Sequence, residues 1–141
     1  YMFMNKKKFK EIGGWDKNIF LFFEETEYCY RAKKKGYLSY QINKLKVKSN
    51  GRSVRVSNDN KDKLKNILIW HFIWSKFYFV KKKYNYLIAI IYFIPIIIRT
   101  LIKLGFYQYI KKNKIKNEKY QYRFLGLKSS ILGKKSSLRI D

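Results

Sequence analysis

The densest carboxylate group in the chain is Glu24-Glu25-Thr26-Glu27, in a sequence that carries 9 Asp and Glu against 33 Lys and Arg. Acids held this close raise one another's proton affinity, which is one route to a general base that works near neutral pH. The same acids would stabilise the N-terminus of a helix through its macrodipole without doing any chemistry. Taken alone, the cluster leaves both readings open. Cys29 is the only cysteine and His71 the only histidine, which excludes an internal disulfide and argues against a Cys/His zinc site. Cytosolic exposure is the expectation that follows.

The elements that would hold this cluster are legible from punctuation and charge. Asn5 is a plausible N-cap for a short helix ending at Ile12, where Gly13-Gly14 stop it and Trp15-Asp16 begin a loop. A second helix is expected from about Phe22 to Gly36, with Glu24, Glu25 and Glu27 in its first turns and Arg31, Lys33, Lys34 and Lys35 in its last. That polarity suits the macrodipole at both ends. Tyr37 to Ile42 and Lys44 to Val47 alternate enough to predict two short strands, and Ser49-Asn50-Gly51 predicts a turn. Residues 1–4 read as the end of another strand whose partners would lie upstream.

Several linked elements then fall in a known order. Gly13-Gly14-Trp15-Asp16 is followed by Phe20-Leu21-Phe22-Phe23, by Glu24-Glu25-Thr26-Glu27, by Arg31 and by Gly36-Tyr37. Over about residues 1–53 this string resembles the family-two glycosyltransferases, and among them the rhamnosyltransferase-like members. The resemblance implies an α/β chain, the C-terminal portion of an A-type, Rossmann-like glycosyltransferase fold, and inverting transfer of a sugar from a nucleotide-diphosphate donor to an acceptor hydroxyl, as in cell-surface polysaccharide synthesis. Glu25 would be the base that takes the hydroxyl proton. Glu24, Gly13, Gly14, Trp15 and Asp16 would bind or orient the acceptor, with Trp15 offering a flat face to a sugar ring, and Glu27 and Arg31 would form a supporting charge network.

Two departures qualify the match. Glu25 stands where the family has Asp, one methylene shorter, and Lys48 stands near the place where the family often has His. The Asp-x-Asp motif that would hold a divalent metal (Mg or Mn) and the donor diphosphate is absent from the sequence. The ligands of that metal are therefore expected outside this chain, which is read as a fragment, inactive by itself. Lys48 and Arg52 are expected to be solvated surface charges.

The remaining sequence changes character. Three segments are distinguished: residues 1–56, the acceptor-side part of the catalytic domain; residues 57–83, an aromatic and basic connecting region; and residues 84–141, membrane-associated helices with a basic tail. Ser57 to Asn66 reads as a polar loop and Ile67 to Phe79 as an aromatic helix. Tyr84 to Ile98 carries no charge but holds Pro95, which would kink a helix unless its surroundings tolerate the lost backbone bond. Lys81, Lys82 and Lys83 precede this run and Arg99 and Lys103 follow it, set to meet anionic headgroups. Interfacial helices, a true span and a buried core helix all remain open. Tyr120 to Gly133 is expected to form one more surface helix.

The net charge of +24 calls for an anionic partner, although Lys, Asn, Ile, Tyr and Phe are enriched together, as an AT-biased coding sequence would give. The expected partners are a nucleotide sugar, a glycan or lipid-linked acceptor, and an anionic membrane surface, at the cytoplasmic face of the cell membrane. The competing class is a basic, aromatic binding module for membrane or nucleic acid without catalysis. Motifs of the common nucleic-acid folds are missing, and the uncharged run suits lipid better.

Overall fold

A computed structural model describes residues 2–44, 46, 48 and 61–139. The expected turn at residues 49–51 and Arg52 lie outside them, as do Leu45 and Val47 of the strand expected at Lys44 to Val47. The described residues form helices Lys6–Ile12 (α1), Glu24–Lys34 (α2), Lys61–Lys83 (α3), Tyr86–Gly105 (α4) and Lys114–Ile131 (α5), with a π-helical turn Phe106–Ile110 after α4.

The α/β expectation is overturned. Among the described residues there is no strand, so they do not form the Rossmann-like sheet that the resemblance implied. Residues 2–4 and 37–42 are irregular. The physical reason lies in pairing: period-2 alternation makes a strand only where a neighbour accepts its hydrogen bonds and buries one face. Here Leu38, Tyr40 and Ile42, which would form the apolar face, are all exposed, as is Phe3.

The two N-terminal helices form as local signals predict. Asn5 Oδ1 accepts from the amides of Lys7 and Lys8, and Gly13 closes α1 at φ 99°, a left-handed geometry natural to glycine. Helix α2 starts two residues later than expected, because Phe22 and Phe23 are both left-handed, at φ 66° and 68°. Ile12, Tyr28 and Ala32 make a small core between the two helices, with Phe9 and Tyr37 packed on it.

The polar stretch from Lys61 to Asn66, expected as loop, is the first part of α3. Its polar side chains line the outer face, where Lys65 pairs with Asp62 at 2.8 Å, while Asn66 and Ile67 turn inward. Helices α3, α4 and α5 share one core of Ile73, Phe77, Val80, Ala89, Phe93 and Leu127. Helix α4 returns antiparallel to α3 after the short connection at Tyr84 and Asn85, and Asn85 Oδ1 caps it by accepting from the Ile88 amide. Pro95 lies inside α4 without ending it.

Helix α5 then runs back along both. Its Gly126 meets α3 so closely that a Cβ there would stand 2.6 Å from the Trp70 carbonyl oxygen and 2.8 Å from Ile73 Cγ2. One turn on, Ser130 Oγ donates to the Trp74 carbonyl at 2.9 Å. The α5 segment expected to lie on the surface is thus partly internal, with Leu127 and Ser130 buried.

Helix α4 faces outward on a broad apolar side. Leu87, Ile91, Tyr92, Ile98 and Ile102 are each more than half exposed. The stretch Tyr86–Ile110, 25 residues, is long and apolar enough to cross a membrane.

Candidate functional site

A polar cluster joins α1, α2 and the loop between them to α3. The Arg31 guanidinium, on the last turns of α2, holds Glu27 with both nitrogens of one edge, Nε at 2.7 Å from Oε1 and Nη2 at 2.9 Å from Oε2. The same guanidinium donates to the carbonyls of Ile12, at 2.7 Å, and Gly14. One side chain thereby ties α2 to the turn that ends α1. Glu27 is fully buried, and its charge is matched by Arg31 and by Lys82, whose ammonium also donates to its Oε1.

Lys82 joins the two halves of the cluster. Its Nζ donates to Asp16 Oδ2 at 2.6 Å as well as to Glu27. Tyr78 donates to the same Asp16 oxygen at 2.9 Å, and the Asn18 amide and side chain cover Oδ1. Burial disfavours the Asp16 charge, yet the hydrogen bonds from Lys82, Asn18 and Tyr78 together with the Lys82 charge outweigh it, and Asp16 is held at about 2. Burial also opposes the charge on Lys82, and its two carboxylate partners overcome that and raise it. Arg31 is raised chiefly by its bonds to Glu27.

Of the residues singled out in the sequence, Gly14, Asp16, Glu27 and Arg31 are therefore brought into one network. Asp16, expected to contact an acceptor, has both oxygens engaged by protein donors. Gly13 and Gly14 serve conformation: both have positive φ, and the space beside each is ordinary van der Waals distance. Trp15 packs against Phe9 and Tyr28 at centroid distances of 5.4 Å and stays 40% exposed.

Glu24 and Glu25 stand apart from that network. Glu25 is exposed on the first turn of α2 and makes no ion pair with a described residue. Glu24 is half-buried, and its Oε2 is enclosed without a hydrogen-bond partner among the described residues. Both follow directly on left-handed Phe22 and Phe23, a conformation that costs on the order of 1–3 kcal/mol for each such residue. Packing against α3 holds it: Phe22 and Phe23 both lie edge-on or tilted against Phe72, with centroids at 5.6 Å, and Phe23 also meets Phe79. Ser75 Oγ anchors the same stretch by donating to the Leu21 carbonyl.

Sequence reasoning missed α3 as part of this site. Lys82 was assigned to headgroups with its neighbours, whereas it is the cation between two carboxylates. Ser75, Tyr78 and Lys82 recur at helical spacing, a polar stripe on one side of an aromatic helix, and that stripe was the available signal.

His71 is buried in the bundle. Its Nε2 lies 2.8 Å from the Leu138 carbonyl, which only accepts, so Nε2 carries the proton and Nδ1 accepts from Ser136 Oγ at 2.9 Å. Burial lowers its pKa, against the raising influence of the Leu138 bond and with Arg139 adding to the fall.

A divalent metal, which the resemblance implies for donor binding, does not fit these residues. Among the described residues no three of His, Cys, Asp and Glu converge, and Asp16 and Glu27 meet only around the Lys82 ammonium. No protein family, curated protein or solved structure matches this chain.

Proposed function

We propose that the segment from Gly13 to Gly36 is the acceptor-side part of a membrane-bound inverting glycosyltransferase, with Glu25 as its base. The observation that carries this reading is the division of labour among the acids. Asp16 and Glu27 are neutralised by Lys82 and Arg31 and hold the unit together. Glu24 and Glu25 are presented, without such partners among the described residues, from a strained turn at a helix N-terminus. Strain retained by surrounding packing is characteristic of positioned functional groups.

In this reading the Glu25 carboxylate takes the proton of the acceptor hydroxyl as its oxygen attacks the anomeric carbon of the donor sugar, and the bond to the nucleoside diphosphate breaks. Glu24 orients the acceptor. Trp15, part exposed beside the Gly13-Gly14 turn, offers a ring face to a sugar. Donor and metal binding fall to residues outside this sequence, which has no Asp-x-Asp. The exposed apolar side of α4 supports attachment to a membrane; in this reading the unit lies at the cytoplasmic face and a lipid-linked acceptor arrives from the bilayer.

The test uses the natural gene product that contains this chain, in membranes supplied with a panel of nucleotide sugars and a lipid-linked acceptor. Glu25→Gln is expected to reduce transfer by about 100-fold or more, the usual contribution of a general base, while sparing donor binding. Unchanged transfer in that variant would remove Glu25 from the role. A protein that floats with anionic liposomes yet transfers no sugar from any donor would favour the competing reading, a basic membrane-binding module.

A further inference from the structure

Between the first halves of α3 and α5 lies a cleft of about 630 Å³, away from the Asp16, Glu27 and Lys82 cluster. Its walls are apolar, formed by Leu68, Ile69, Phe72 and Ile73 of α3 and closed at the ends by Phe22 and Ile115. Its rim is basic, with Lys65, Lys116, Lys119 and Arg123. Among the described residues the one acid on the rim, Asp62, is already paired with Lys65 at 2.8 Å. Arg123 adds a guanidinium to that rim, its Nε turned inward with no hydrogen-bond partner among the described residues.

The rim also lies at the end of the apolar helix. Lys116 sits 5.3 Å over the Tyr107 ring, just past α4, and Tyr107 stacks on Tyr120 of α5. Lys103, on the last turn of α4, sits over the same Tyr120. The basic mouth of the cleft is thus placed where α4 would leave the hydrocarbon for the headgroups. Apolar walls, a cationic mouth, a volume within the usual range for ligand sites and this position call for one kind of occupant.

We propose that the cleft between α3 and α5 binds a single membrane lipid by its phosphate, with Lys116, Lys119 and Arg123 on the phosphate and the apolar walls on the first carbons of the chain. The inference rests on the chemistry of the cleft and stands whether or not Glu25 is a base. Should it be one, the cleft is joined to the acidic pair through Phe22, a lining residue two positions before Glu24.

The test is calorimetric titration of the full chain, in maltoside micelles, with farnesyl phosphate, farnesol or inorganic phosphate. Farnesyl phosphate is expected to bind saturably at one site, with farnesol and inorganic phosphate at least tenfold weaker. Lys116→Gln/Lys119→Gln is expected to weaken it by roughly tenfold or more, while the charge-matched control Lys111→Gln/Lys112→Gln changes it less than twofold. Ile69→Gln supplies a second variant, expected to weaken binding with helicity unchanged by circular dichroism. Equal losses in the two lysine pairs would overturn the site in favour of general charge attraction. Equal affinity for farnesol, or for inorganic phosphate, would overturn recognition of a lipid phosphate.

Discussion

Replacing Lys82 by Met tests whether the acidic loop is held to the bundle by one shared cation. The Met side chain keeps most of the apolar stem and removes the ammonium, leaving Asp16 and Glu27 without the donor they share. Each charge-assisted hydrogen bond is worth about 1.5–3 kcal/mol. Lys82 is 34% exposed and Glu27 retains Arg31, so water and the remaining guanidinium recover part of the loss, and about 2 kcal/mol is expected. For a chain of this size that corresponds to a fall in Tm of roughly 6–10 °C.

The acid limb gives an independent check. Asp16 is depressed from 3.8 to about 2, so its contribution is full above the unfolded value and is lost as pH falls through about 4 towards 2. In the Lys82→Met variant most of that depression disappears, and the stability difference between the two proteins should shrink over the same range. Thermal unfolding of the full chain in micelles, followed by tryptophan fluorescence at pH 7 and pH 3, reads both effects. Asp16→Asn in the Lys82→Met background should recover part of the Tm, because it removes the orphaned charge. A loss under 2 °C at pH 7, or a gap between the proteins that stays constant down to pH 2, would refute the account.

Gly126→Ala should destabilise the α3–α5 crossing by about 1–3 kcal/mol, as overpacking does, since its Cβ would stand 2.6 Å from backbone. The same denaturation assay measures it. His71, whose pKa is lowered from 6.5 by burial, binds protons more readily unfolded than folded, so stability should decline as pH drops below 6.5. His71→Gln should flatten that limb while keeping a donor for the Leu138 carbonyl, and an unchanged slope would discount the histidine.

The helices were legible where their signals are local. The α1 cap, its glycine stop and the charge polarity of α2 all act within one or two turns, and each is found where the residues set it. The uncharged run was recognisable by composition, and it forms most of an apolar helix. The strand expected at Tyr37 to Ile42 failed because pairing is not local: alternation there says nothing about whether a partner strand exists. The site divided along the same line. Glu27 and Arg31, one helical turn apart, were read together, while Lys82 reaches Asp16 across 66 residues and looked like one of three equivalent lysines. The strain at Phe22 and Phe23 had no sequence signal, because aromatic residues rarely adopt that geometry and only packing on α3 sustains it.

The connection between α3 and α4 is short enough to act mechanically. Lys82 stands three residues before Asn85, the cap from which α4 departs, and Tyr30 of α2 donates to the carbonyl of Lys83 in between. From Tyr86 to Lys103, where its charge returns, α4 rises about 26 Å, less than the ~30 Å hydrocarbon thickness of a typical bilayer. Set across a bilayer, a helix of that length would be matched by local thinning and by its flanking lysines reaching for the headgroups. A load on α4 in that setting would reach, through Asn85, the end of α3 that carries the ammonium shared by Asp16 and Glu27. Bilayer thickness and the hold of Lys82 on its two carboxylates would then be linked, and the cluster would respond to the membrane around it.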